Sequence, residues 1–192
     1  MMENKKIQIE LTPLQLKSFN VDIEGTSPLL MHKFSDASKK EMMDKQLKKS
    51  STKKIRDIKQ EVEECIYREG DKIVFPAIAF KKACVEVAPY LENLDKKLVK
   101  GAMQIIGQYV ELKFKKQTVN EAHVKLASGV SMIRYRPEFH DWKVNIRFIY
   151  NASQITPQQI IELLKYAGFH IGVGDWTPQH SGSFGMFEVK TK

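Results

Sequence analysis

Apolar and polar residues alternate along WKVNIRFIY: Trp142, Val144, Ile146, Phe148 and Tyr150 fall on one side of an extended chain, Lys143, Asn145, Arg147 and Ile149 on the other. That period of two predicts a strand with one buried face. The same alternation sets Phe19, Val21 and Ile23 against Asn20, Asp22 and Glu24, predicting a strand over 19–24, with another before it over 6–11 (KIQIEL). Between 108 and 136, YVELKFK and MIRYR alternate as well, and the polar segment joining them predicts an extended hairpin. ECIYREGDKIVF predicts a tighter hairpin that turns at Glu69-Gly70-Asp71. FGMFEVKTK is expected to close the chain as a strand.

Two segments carry a helical period instead. In PAIAFKKACVEVAPYL, Pro76 is expected to open a helix with Ala77, Phe80, Cys84, Val87 and Ala88 on one face and Lys81 and Lys82 toward the other, until Pro89 interrupts it. Further on, Thr156, Pro157 and Gln159 predict an N-cap, a first helical position and a capping box. Ile160, Ile161, Leu163, Leu164 and Ala167 supply the apolar stripe of that helix, and Gly168 fits a left-handed residue ending it. A third helix is expected over 94–104. The resulting order, β-α-β-β-α-β, predicts an α+β fold: a ferredoxin-like core, as in RNA-recognition motifs, with a basic insertion and extra β-hairpins, in one domain over 1–192. Both helices would cover one face of the sheet, leaving Lys143, Asn145 and Arg147 to look outward.

Charge changes the picture, because the chain is basic by eight at neutral pH and the excess is concentrated. Residues 38–59, SKKEMMDKQLKKSSTKKIRDIK, hold eight lysines and one arginine with few large apolar residues, an insertion spanning about 35–60. Lys39, Lys40, Lys48, Lys49, Lys53, Lys54 and Arg56 are candidates for contacting a polyanion; a solvated insertion with no partner is the plainer reading of the same run. Arg134 and Arg136 flank Tyr135 and fit either an exposed strand face or a phosphate contact. The outward Lys143 and Arg147 are offset if Asp22 and Glu24 share their face, which argues against the flat sheet-surface mode of RNA-recognition motifs.

No apolar run reaches the roughly 18 residues of a membrane span, and the amino terminus lacks a secretory pattern, so a cytoplasmic location is expected. Cys65 and Cys84 match no metal-ligand spacing and are expected to be buried thiols. Neither a metal nor a cofactor is expected, since phosphate-cradling, paired zinc-ligand and Gly-x-Ser-x-Gly motifs do not occur.

The least regular stretch, IGVGDWTPQHSGSFGMFEV (171–189), gathers four of the ten glycines, Gly172, Gly174, Gly182 and Gly185, with Trp176 and His180 between them. Glycine in such density marks sharp bends or close backbone approach, to a ligand or to the rest of the chain. This stretch resembles the glycine-rich loop between last helix and last strand in the RAMP proteins, the repeat-associated RNA-binding superfamily of CRISPR effector complexes. VFPAIAFKKACVEVA is similar to that family's first helix, opened by Pro and followed by Lys, and IEGTSPLLMHKFS resembles its first strand and turn. Between the two glycine pairs this chain carries Asp175, Trp176, Thr177, Pro178, Gln179, His180 and Ser181 in place of the family's basic residues.

The resemblance implies binding rather than catalysis: a backbone-type subunit holding single-stranded nucleic acid, RNA favoured over DNA, in a homo-oligomer or a larger ribonucleoprotein of a CRISPR-like, phage or mobile-element system. The lysine-rich segment, Lys81, Lys82, Arg134 and Arg136 would supply charge, the loop glycines close backbone approach, and Trp176, Tyr135 or Trp142 stacking surfaces. Two other readings use the same residues. Metal-independent RNA cleavage would need a pair of groups such as His170 or His180 meeting Asp175 across the loop. A protein-assembly or inhibitor module would need no nucleic acid at all.

Overall fold

The computed structural model describes residues 13–34, 57–125 and 131–190, together with Lys39, Met43, Leu47 and Gly129. The strand expected over 6–11 and the cations Lys40, Lys48, Lys49, Lys53, Lys54 and Arg56 lie outside the described residues.

The central sheet takes its strands from distant parts of the chain. β1 (Leu16–Gly25) pairs antiparallel along its length with β9 (Lys143–Asn151), so that Phe19 faces Phe148, Val21 faces Ile146 and Ile23 faces Val144. β10 (Phe187–Lys190) adds to the other edge of β1, and β5 (Met103–Ile105) to the other edge of β9. The order β10-β1-β9-β5 is last, first, third, second of the four core strands, which is the ferredoxin-like arrangement. Two helices, α2 (Ile78–Val87) and α4 (Pro157–His170), pack against each other and with the sheet's apolar face. Phe80, Phe148, Ile146, Ile160 and Leu163 are fully buried there, and Trp142 closes one end, its indole N–H donating to the Ser27 carbonyl at 2.8 Å.

Smaller elements decorate this core. α1 (Ile58–Glu64) is capped by the Asp57 carboxylate and leads into the hairpin β3 (Arg68–Glu69) and β4 (Lys72–Pro76), which turns at Gly70 with φ +58° as expected. β4 continues to β6 (Tyr109–Glu111). The long hairpin β7 (Lys116–Lys125) and β8 (Ser131–His140) forms an arm, with β2 (Leu29–Leu30) paired only at its base.

Three boundaries differ from the sequence expectation. Pro76 ends β4 rather than opening α2, and Ala77 forms the bend between them. The helix expected over 94–104 is α3 (Lys96–Ala102), capped by Asp95, whose carboxylate accepts from the Leu98 N–H at 2.7 Å. Met103, Gln104 and Ile105 leave it because the open edge of β9 satisfies their backbone groups. Gly168 lies inside α4, which runs two residues further to His170; a Cβ there would collide with the Phe187 carbonyl, so this glycine serves the approach of β10. The left-handed residue that turns the chain is Gly172, at φ +73°.

Gly168→Ala is expected to destabilise the protein by about 1–3 kcal/mol through overpacking, measured as a lower urea midpoint with unchanged m-value. A midpoint equal to that of the parent would mean that β10 does not lie against α4 as described.

Candidate nucleic-acid interface

The glycine-rich loop is held almost wholly by its own backbone and by the turn after β1. The Val173 N–H donates to the Gly185 carbonyl at 2.9 Å, the Gly185 N–H to Pro28 at 2.8 Å and the Asp175 N–H to Leu30 at 3.0 Å. Side chains would break this. A Cβ on Gly174 would meet the Leu30 carbonyl, one on Gly182 the Trp176 carbonyl, and one on Gly185 the Val173 carbonyl, while one on Gly172 would come within 2.9 Å of the Pro178 ring. What these four glycines approach closely in this structure is the chain itself.

The loop presents three groups to its surroundings. The Asp175 carboxylate lies 2.7 Å from Arg136 Nε, from the arm, and 3.4 Å from His32 Nδ1, just beyond β2. The His32 ring, helped by the Arg136 charge, holds the Asp175 carboxyl below the usual carboxylate range despite its partial burial. Arg136 is only 4% exposed, its Nη1 has no hydrogen-bond partner among the described residues, and its guanidinium sits 5.6 Å from the Trp176 ring centre. Trp176 itself is 40% exposed, and the His180 ring pairs with the Thr177 hydroxyl at 3.3 Å.

This geometry revises several expectations. Arg136 is an internal tie between arm and loop rather than a surface phosphate clamp, because its charge is buried against Asp175; the half-buried Arg134 is the more accessible of the two. Trp142, by contrast, is core at 1% exposure, in keeping with its place at the head of an apolar strand face, and offers no stacking surface. Asp175 meets His32, not His170 or His180; His170 packs among Tyr90, Tyr166 and Phe169 instead. The Lys81 ammonium is bound to the Lys100 carbonyl and the Gln104 side chain, with partial burial lowering its pKa, whereas Lys82 is exposed.

Next to Asp175 the surface is concave. A hollow of about 240 Å³ is lined by His32, Asp175, Gly174, Tyr67, Pro76 and others, and a second of about 300 Å³ continues from the shared Tyr67 and Pro76 to Ile78, Lys81, Gln108 and Tyr109. Together they form a groove over the start of α2, whose first N–H groups carry no side-chain cap. Lys39, a described lysine of the basic segment, is exposed and acts electrostatically on the Tyr67 hydroxyl. The tyrosines were not among the sequence candidates; each stands alone in its hairpin, and only the pairing of β4 with β6 brings them together.

The outer face of the central sheet is different. Lys143 pairs with Glu24, Lys190 with Glu24 and Glu188, and Asn145 donates to Asp22 at 2.7 Å. The hollow of about 560 Å³ over it sets Asp22, Glu24 and Glu111 against Lys113, Lys143 and Lys190, so its formal charge is nil. A polyanion gains nothing there.

Compared with known structures, the chain superposes on a chain from the cryo-EM structure of the type III-B Cmr-beta bound to cognate target RNA with a TM-score of 0.58, at 10% identity, over 92% of its own residues. The two share a fold. This chain spans 60% of the length of that Cmr-beta chain. A looser similarity, TM-score 0.46 at 10% identity, covers 93% of it and 100% of Cmr6 from Pyrococcus furiosus, known from a crystal structure. No protein-family model and no curated protein sequence matches. Among the described residues, no helix is long and apolar enough to cross a membrane.

Asp175→Asn should strand the Arg136 charge and destabilise the fold by about 1–3 kcal/mol, less than the ~3–5 kcal/mol of a fully buried pair because Asp175 keeps 32% exposure. Since the folded carboxyl titrates below its unfolded value of about 4, its contribution is complete above that pH and disappears as pH falls through the lower folded value. Urea midpoints measured from pH 7 down to pH 2 should therefore converge for parent and variant at the acid end. A constant gap across the range would contradict the ion pair.

Proposed function

We propose that this protein binds single-stranded nucleic acid, RNA in preference to DNA, in a largely sequence-independent manner along the groove between Asp175 and Tyr109. The observation that carries this reading is the position of the groove: it lies over the uncapped start of α2 and is floored by two tyrosines, one of which feels the charge of Lys39. A strand there would meet backbone N–H groups, aromatic faces and a dense source of positive charge, the three contacts that hold a strand without reading it. The outer sheet face offers none of them.

The shared fold supports the biological setting, because the Cmr-beta structure was determined bound to target RNA. By that likeness the protein acts as a non-enzymatic, backbone-type subunit of a homo-oligomer or larger ribonucleoprotein, in a CRISPR-like or mobile-element context, with residues 1–192 working as one RAMP-like unit. Lys39, Lys40, Lys48, Lys49, Lys53, Lys54 and Arg56 would neutralise phosphates, with Lys82 and Arg134 as further cations. Trp176 and His180 flank the groove on the loop side. Gly172, Gly174, Gly182 and Gly185 would act by holding the loop backbone in the shape that leaves the groove open.

Each phosphate neutralised releases a counterion, so log affinity should fall linearly with log salt, losing about 10³-fold or more between 50 and 200 mM if six or more phosphates are engaged. Fluorescence anisotropy with several unrelated single-stranded RNAs should show this for all of them. Reversing Lys48, Lys49, Lys53 and Lys54 to Glu should weaken every sequence alike and flatten the slope. No binding at low salt would leave the protein-assembly reading; undiminished binding after the reversal would remove the lysine-rich segment from the interface.

A further inference from the structure

We propose that the second hollow of the groove, beside the paired rings of Tyr67 and Tyr109, is a pocket for a single unstacked nucleobase. The proposal rests on the nucleic-acid reading above and adds to it a place where one base leaves the strand. The two rings lie 5.8 Å apart between centres at 42°, both half-buried, so that each keeps part of its face open. Ile78 forms an apolar side wall and is 51% exposed. At about 300 Å³ the hollow stands at the small end of ligand pockets, a size suited to one ring system rather than an extended ligand.

Polar groups sit where the edge of such a ring would point. The Gln104 side-chain oxygen is already held by Lys81, which fixes one wall. The Gln108 side chain is exposed and its amide makes no hydrogen bond among the described residues, leaving a donor and an acceptor free on one planar group. A free planar amide beside aromatic faces matches a nucleobase, which offers a π-surface for stacking and alternating donors and acceptors along its edge. An apolar side chain from a protein partner would fill the same walls but leave that amide unused. A tyrosine hydroxyl is neutral at physiological pH, so the floor carries no negative charge toward the strand. Stacking accepts any base, and the pocket therefore adds affinity without imposing a sequence.

Photocrosslinking of single-stranded RNA substituted with 5-bromouridine, followed by mass-spectrometric mapping, tests this on the unaltered protein. Crosslinks at Tyr67 or Tyr109 are expected. In anisotropy titrations Tyr109→Ala should lose about five- to 150-fold in affinity, the equivalent of one stacked base, with the salt slope unchanged because no phosphate contact is removed. The exposed Gln108→Ala should weaken binding in the same direction and serves if Tyr109→Ala fails to fold. Strand binding with crosslinks only elsewhere, with Gln108→Ala at parental affinity, overturns the pocket and leaves the groove intact. The same pair of results with a loss of self-association in Tyr109→Ala would assign the hollow to a protein contact. Absence of strand binding at any salt overturns both this proposal and the nucleic-acid reading.

Discussion

The return of the glycine-rich loop onto the turn after β1 is the constraint from which the rest of the site follows. Three backbone hydrogen bonds, from Val173 to Gly185, from Gly185 to Pro28 and from Asp175 to Leu30, draw the segment after α4 tight against the start of β2. Carbonyl groups occupy the space that a Cβ would need at Gly174, Gly182 and Gly185, so no other residue permits that closeness. Once it is made, Asp175 is delivered to His32 and Arg136, the arm is tied to the core, and β10 can enter the sheet beside β1. The hollow next to Gly174 exists because the loop turns away at that point.

Charge is divided between the two faces of the molecule in a way that decides where a polyanion can go. On the outer sheet face Glu24 and Glu188 pair with lysines and Asp22 accepts from the Asn145 amide, so the acidic and basic groups lining the hollow there balance. The chain's excess of eight positive charges must therefore reside elsewhere, and much of it belongs to the lysine-rich segment 38–59. A ferredoxin-like topology is thus combined with a charge-balanced outer sheet face, and the proposed interface falls on the helix-and-loop side.

Local signals made the core readable in the sequence. The alternation of 142–150, the capping box at Thr156 and Gln159 and the turn at Gly70 each depend on residues a few positions apart, and each is present. Long-range contacts were not readable. Arg136 alternates like a surface arginine, and nothing within the arm shows that the loop, some forty residues away in sequence, will cover it. β5 has three residues and becomes a strand only by pairing with β9. The same holds for His32 and Asp175, and for the two tyrosines: their types were visible, their meeting was not.

Amide hydrogen exchange with and without single-stranded RNA examines the central claim, that a strand lies in the groove beside the loop, without altering a residue. Slowed exchange should be confined to the start of α2, to Gly107–Tyr109 and to the loop from Gly174 to Ser181, with β1 and β9 unaffected. Protection over β1 and β9, or none anywhere with RNA bound, would contradict it.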